Sequence, residues 1–300
     1  MKTQGRFFSV FLMVMVAQTV VFAGPRAPEK ISYDSVPITQ PCVALTFTDG
    51  PSSMLTPQVL KILADRNIKA TFFVVGESAL SHPDILKQEM AAGHEIGSRS
   101  WSHSLFGGQE SDQQLLSDLE RTDQAIRTAT GSSPHYFCPF DTTFSDVQCD
   151  TVFKQFAYKV IYWSVDSLAA KAKGAAGIAN AVISQAKPGS IILSSDIDSS
   201  CVQALPMVID TLTSKGFKFV TVPELIYDST PAGQRKLQAD GVTSAPPVAP
   251  VTPVASTSNP PPPPASTDYP AAPSGYHPFG VSSPAPSVTV PDPNAPNATQ

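Results

Sequence analysis

Between residues 41 and 228 the apolar positions follow two patterns. Short runs of β-branched, aromatic and aliphatic residues read as buried strands. Longer stretches with apolar residues three and four apart read as amphipathic helices. The strand candidates are 43–47, 70–75, 94–97, 136–138, 160–163, 190–193 and 217–222. The first runs into a polar loop at Thr48-Asp49, and Gly50-Pro51 end it. Thr56-Pro57 supply a cap and an N-terminal proline for a helix whose face is Val59, Leu60 and Leu63. A second helix over 83–92 stops at Gly93. Ser111-Asp112-Gln113-Gln114 reads as a capping box. It opens a long helix with a stripe of Leu115, Leu119, Ile126 and Ala129, ended by Gly131. Val202, Leu205, Ile209 and Leu212 mark the last long helix, closed by Gly216. Strands alternating with helices of this size predict βαβ units and a parallel sheet. About seven such units predict an α/β fold, a (β/α) barrel closed or nearly so, whose carboxyl-end loops share one mouth.

Composition changes the picture at both ends. Lys2 and Arg6 precede an apolar run over 7–22, and Val21-Phe22-Ala23 offers small residues where a signal peptidase reads. Residues 1–23 are therefore expected to be a cleaved secretory signal, followed by an N-terminal extension over 24–40. No second run reaches spanning length. Beyond residue 228 the composition turns to Pro, Ser, Thr and Ala. The last seventy residues hold eighteen of the thirty prolines, too little apolar surface to offset the entropy of ordering. Residues 229–300 are expected to be a disordered stalk, with a glycosylation sequon at Asn297-Ala298-Thr299. The folded domain is thus placed at 41–228, and a monomer is expected. A formal net charge of −5 argues against nucleic acid or an anionic membrane as partner.

Four cysteines in an exported chain favour disulfides, and three pairings are possible. Cys138 and Cys149, close in sequence across one loop, form the favoured pair. Cys42 starts its strand and belongs on the opposite rim; its partner stays open.

Candidate chemistry begins at Asp49. A carboxylate at the carboxyl end of a strand sits where α/β folds place their active sites. Asp-Gly is also a common turn pair, and that alternative assigns Asp49 no chemistry. Further segments bear on the choice. Leu45-Thr46-Phe47-Thr48-Asp49-Gly50-Pro51 is followed by Lys69-Ala70-Thr71-Phe72-Phe73-Val74, by Gly93-His94-Glu95-Ile96-Gly97 and by Trp101-Ser102-His103. Later come Tyr136-Phe137 before Pro139, then Trp163-Ser164-Val165-Asp166 and Gly216-Phe217-Lys218-Phe219-Val220-Thr221-Val222. Their order and spacing resemble the polysaccharide deacetylase (NodB-homology) family, most closely its chitin deacetylase branch.

The resemblance implies hydrolysis of acetyl groups on a polysaccharide, assisted by a divalent metal such as zinc. One carboxylate and two imidazoles would hold the metal with open positions, and an acid–base pair would move the protons. Carried over position by position, most of the chemistry is substituted. Thr48 stands at the base position. Asp49 stands at the metal carboxylate. Arg99 and His103 stand at the two metal histidines. Cys138 stands at the orienting arginine, Ala169 and Ala170 at a pocket Asp and Trp, and Ser195 at the acid histidine. Asp49 and His103 remain as two metal ligands, too few for a well-held catalytic zinc. Arg99 is always charged and cannot ligate; it is expected to reach Asp49 and fill the vacated position with an ion pair, and the alternative is that it points to solvent. His94 reads as a strand residue, and Glu224 and His135 lack a constellation.

No catalytic position is thus intact, and no resident cofactor is expected. The substrate pocket is placed at Asp49, His103, Pro139, Phe140, Asp166 and Asp196. The reading is a protein secreted to the cell wall or exterior that binds chitin or another N-acetylated polysaccharide and is catalytically impaired or inactive. One alternative is an active metal-dependent N-deacetylase with a site rebuilt from Asp141, Asp196 or Asp198. A second is a protein-binding scaffold.

Overall fold

The strand over Cys42–Thr48 is buried along its whole length; among the described strands it alone pairs with three others. The computed structural model describes residues 29–102, 111–142 and 144–239. The expected secretory signal, His103 and most of the Pro-rich tail lie outside these residues. In chain order the strands are β1 (Ser32–Tyr33), β2 (Cys42–Thr48), β3 (Thr71–Val74), β4 (Glu95–Ser98), β5 (Tyr136–Phe137), β6 (Lys159–Ile161), β7 (Val165–Asp166), β8 (Ile191–Ser195) and β9 (Lys218–Val220). All their ladders are parallel, in the order β1-β6-β5-β4-β3-β2-β8-β7, and β9 pairs with Cys42–Ala44 of β2. The barrel expected from the sequence is present as a curled half-barrel. Its outermost strands, β1 and β7, have two residues each and offer little ladder for closure.

The two faces of β2 explain the layers. Val43, Leu45 and Phe47 point outward into a core shared with the helices. Cys42 and Ala44 point inward with Phe73, Cys138, Ile161 and Ile191. Next on that inner face come Thr46 and Thr48, whose hydroxyls bond to the Ile192 and Ser194 carbonyls of β8. The interior therefore turns from apolar to polar toward the carboxyl ends. Outside the sheet, α1 (Thr56–Asp65) and α6 (Gly174–Gln185) flank α7 (Ser199–Ser214). The helix α2 (Gly76–Ser81) and α3 (Pro83–Ala91) pack on α4 (Asp112–Thr130). The capping box at Ser111 forms with Gln114 as expected, and a second, at Ser145, opens α5 (Asp146–Phe156).

Several expectations change. The domain begins before residue 41, because Ser32–Tyr33 pairs with β6 and Tyr33, Val36 and Ile38 are buried against the inner face. It continues past residue 228: α8 (Val222–Asp228) is followed by α9 (Pro231–Ala239), anchored where Gln234 donates to the Asp228 carbonyl. Val222, read as the end of a strand, starts α8, because the Thr221 hydroxyl and Glu224 make a capping box there. Thr56 does not cap α1; its hydroxyl accepts from Ser52 and donates to Asp196. The expected disulfides are absent, and all four cysteines are free and buried. Cys138 points inward to Arg99, whereas the Cys149 sulfur lies 3.5 Å from the Tyr162 hydroxyl, in another cluster. No helix among the described residues is long and apolar enough to cross a membrane.

Candidate functional site at the carboxyl ends of the strands

Parallel register brings the singled-out residues to one end of the sheet. Thr48 and Ser195 are direct neighbours across β2 and β8. Val74 pairs with Ser98, and Ser98 with Phe137, so the residues after β4 and β5, Arg99 and Cys138, are adjacent. Backbone bonds fix them: Arg99 N donates to the Val74 carbonyl and Cys138 N to the Ser98 carbonyl, both at 2.9 Å. Asp49 follows β2 with φ of 79°, a left-handed turn that Asp tolerates better than most residues.

The centre of the site is an ion pair. Arg99 Nε donates to Asp49 Oδ1 at 3.0 Å, with the two residues 3% and 9% exposed. Arg99 Nη1 donates to the Pro139 carbonyl at 2.6 Å and meets Cys138 Sγ at 3.0 Å. The Phe140 ring covers the guanidinium, 4.5 Å from Cζ. The Cys138 thiol is pushed up to about 11 by burial, against the pull of Arg99, so it stays protonated at neutral pH.

Around this pair the polar side chains are tied to backbone. Thr48 Oγ1 lies 3.1 Å from the Ser194 carbonyl and 3.3 Å from Asp49 Oδ2, and it has one proton for the two acceptors. Ser195 Oγ donates to the Thr48 carbonyl and accepts from Ile197 N, each at 3.3 Å. Asp196 is 1% exposed and accepts from the Thr56 hydroxyl and the Gly50 amide. Its carboxyl lies so close to Gly50 that a Cβ there would fall on it, which is why the loop needs glycine. Burial raises the Asp196 pKa to about 7, offset in part by Thr56 and backbone donors and reinforced by the charge of Asp49.

Asp49, Arg99, Cys138, Pro139, Phe140, Thr48, Ser195 and Asp196 thus form one cluster. Other candidates stand apart. Asp166 accepts from the amides of Leu168 and Ala169 and so caps the 3-10 turn over Leu168–Lys173. Ala169 is exposed and Ala170 buried. Asp198 caps α7 and pairs with Lys171 at 2.6 Å. Burial would raise its pKa, but Lys171 and the backbone donors outweigh that and lower it. His103 lies outside the described residues. His94 is buried; its Nδ1 accepts from Ala70 N, as a neutral imidazole does, and burial pushes its pKa down to about 4.

Two polar residues were not singled out from the sequence. Thr56 looked like a cap, and its role toward Asp196 spans 140 residues of chain. Glu89 is fully buried on α3, and neither carboxyl oxygen has a hydrogen-bond partner among the described residues. Its signal was present, since 85, 86 and 89 share the buried stripe of that helix.

A family model described as polysaccharide deacetylase matches residues 35–161. The peptidoglycan-N-acetylglucosamine deacetylase PgdA of Listeria monocytogenes is 34% identical over 210 residues, 69% of this chain; the chain spans 44% of that relative's length. The chitooligosaccharide deacetylase of Sinorhizobium fredii is 33% identical over 202 residues, covering 61% of this chain and 91% of the relative. Among solved structures, BA3943 of Bacillus anthracis, described as a CE4 family pseudoenzyme, superposes with a TM-score of 0.62 at 25% identity, over 66% of this chain and 70% of that one. A mutant of that protein is described as having restored enzymatic activity.

Proposed function

The chain belongs to the polysaccharide deacetylase family, and from that premise we propose that it is a secreted, glycan-binding member that does not hydrolyse the glycan it holds. Its ligand is chitin or a related polymer of N-acetylglucosamine. The relatives named for peptidoglycan and chitooligosaccharides support that ligand class. The apolar run after Lys2 and Arg6 supports export.

The observation that carries the reading is the pairing of Thr48 with Ser195 across β2 and β8. By resemblance these are the base and acid positions. A positioned general acid or base contributes roughly 10²–10⁴-fold. Neither hydroxyl can take that part near neutral pH, and both are engaged with backbone. The pseudoenzyme among the structural neighbours supports the view that this fold is retained without turnover.

Asp196 favours a second reading, an N-deacetylase with a rebuilt site, because its pKa of about 7 suits a general base. Burial at 1% exposure and the bonds from Thr56 and Gly50 count against it, since a base must reach the water it activates.

The test is acetate release from chitohexaose by the full mature chain, with added zinc or cobalt and with a chelator, beside binding of the same oligosaccharide by calorimetry. We expect binding that a chelator leaves unchanged and no acetate. Acetate release abolished by chelation would establish the rebuilt enzyme. Absence of binding by folded protein would favour a protein-binding scaffold.

A further inference from the structure

We infer that the Arg99 guanidinium is a resident cation that holds Asp49 in place of a divalent metal and closes that carboxylate to metal ions. The inference rests on family membership and on the ion pair, and it does not depend on whether the pocket turns over.

A metal ligand must offer a lone pair. Arginine has none, keeps its charge at any working pH, and presents only N–H donors. A zinc ion bound to Asp49 would sit about 2.0–2.2 Å from a carboxylate oxygen. Asp49 Oδ1 is already engaged by Arg99 Nε at 3.0 Å, so the incoming ion would meet a fixed positive charge at close range. The side chain is anchored along its length. Nη1 is bound to the Pro139 carbonyl and rests on Cys138 Sγ, and Phe140 covers the plane. Swinging aside to admit a metal would strip a 3%-exposed cation of these acceptors at once. The residues present therefore do not fit the metal implied by the family. Among the described residues no three of His, Cys, Asp and Glu are grouped so as to hold one.

Cys138 is part of the same device. The guanidinium reaches across from the end of β4 to the residue after β5, and the small thiol leaves it room. A long side chain at 138 would compete for that space.

The experiment is a zinc titration of the full mature chain by calorimetry, with cobalt absorption as a second readout, on four proteins. These are the wild type, Arg99→His, Arg99→His with Asp49→Asn, and the charge-neutral pair Arg99→Gln with Asp49→Asn. We expect the wild type and the neutral pair to give the same isotherm, which shows that no zinc binds through Asp49. We expect Arg99→His to gain affinity by about tenfold or more, lost again when Asp49→Asn is added. A wild-type zinc equivalent that the neutral pair lacks would overturn the inference, and that comparison stands even if Arg99→His fails to fold. It would leave the glycan-binding reading to the acetate assay. Conversely, acetate release by a wild type lacking Asp49-dependent metal would overturn the reading and leave this inference intact.

Discussion

Glu89→Met should stabilise this protein, and the gain should grow with pH. Glu89 lies on the buried stripe of α3 with Ile85 and Leu86 and is 0% exposed. Neither carboxyl oxygen finds a partner among the described residues. Burial raises its pKa well above the ordinary value of 4.5, and the Asp196 charge adds to the rise. The folded state therefore holds Glu89 protonated at pH values where the unfolded chain has released the proton. A group of this kind contributes its full stability below the unfolded value of 4.5 and loses it as pH climbs toward the folded value. The loss accumulates as pH rises above the unfolded value, on the order of 1 kcal/mol per pH unit while the folded state keeps its proton. Unpaired buried oxygens add about 1–3 kcal/mol that does not depend on pH. Methionine is of similar size and flexible, so repacking should cost less than about 1.5 kcal/mol. Urea denaturation of both proteins at pH 5 and pH 6 gives the test. The variant should lead at pH 6, and its lead should be wider at pH 6 than at pH 5. Asp196 and His94 also titrate near this range, with opposite effects on stability, but they are common to both proteins and largely cancel. A lead that is the same at both pH values would refute the claim that the buried acid is held neutral.

Two further outcomes follow from the site. Asp49→Asn should cost about 3–5 kcal/mol by leaving Arg99 buried without its counter-ion, and adding Arg99→Gln should recover at least about 1 kcal/mol; strict additivity in thermal unfolding would mean that the pair at 3.0 Å carries no coupling. Asp196 is protonated in both states below 3.8 and only in the folded state up to about 7, so the wild type loses as much as about 4 kcal/mol across that window. Asp196→Asn keeps an acceptor for Thr56 and should lack that slope, and melting curves at pH 4 and pH 7 that shift in parallel for the two proteins would contradict it.

Much of the architecture is legible in local pattern. The run over 43–47 marks the central strand because burial on both faces demands apolar residues at nearly every position. The helix over 112–130 announces itself by its capping box and by its final Gly131, which is left-handed here with φ of 83°. What local pattern misses is decided across the chain. Tyr33, Val36 and Ile38 read as a loose extension, yet they fill the inner face because β1 pairs with β6, more than a hundred residues later. Cys138 and Cys149 are close in sequence, but the thiols face different clusters. Thr56 carries the signs of a cap, and only the β2–β8 register shows why its hydroxyl turns to Asp196. The same holds for the site. Motif spacing singled out Thr48, Asp49, Arg99, Cys138 and Ser195, but not Asp166's use as a cap. That Arg99 points inward rather than to solvent follows from strand order, which sets β4 between β3 and β5 with its last residue level with theirs.

Strand order also links residues 99 and 138. By resemblance, an arginine at 138 would orient the base at 48, and an imidazole at 99 would ligate the metal held by Asp49. In this chain the guanidinium comes from 99 and reaches to 138, so a positive group still sits beside Asp49. The charge balance is then compatible with a neutral residue at 48. With a divalent ion and an arginine present, two neighbouring carboxylates can both stay ionised. With one guanidinium alone, a second carboxylate next to Asp49 would be a buried, unmatched charge, which is costly. A neutral residue at 48 that satisfies itself on the Ser194 carbonyl removes that cost. Positions 48, 49 and 99 are therefore coupled electrostatically. Thr48→Asp alone adds a charge without its counter-ion, and Arg99→His alone takes the counter-ion from Asp49. Either single change should destabilise the fold, which thermal unfolding of the two variants would read.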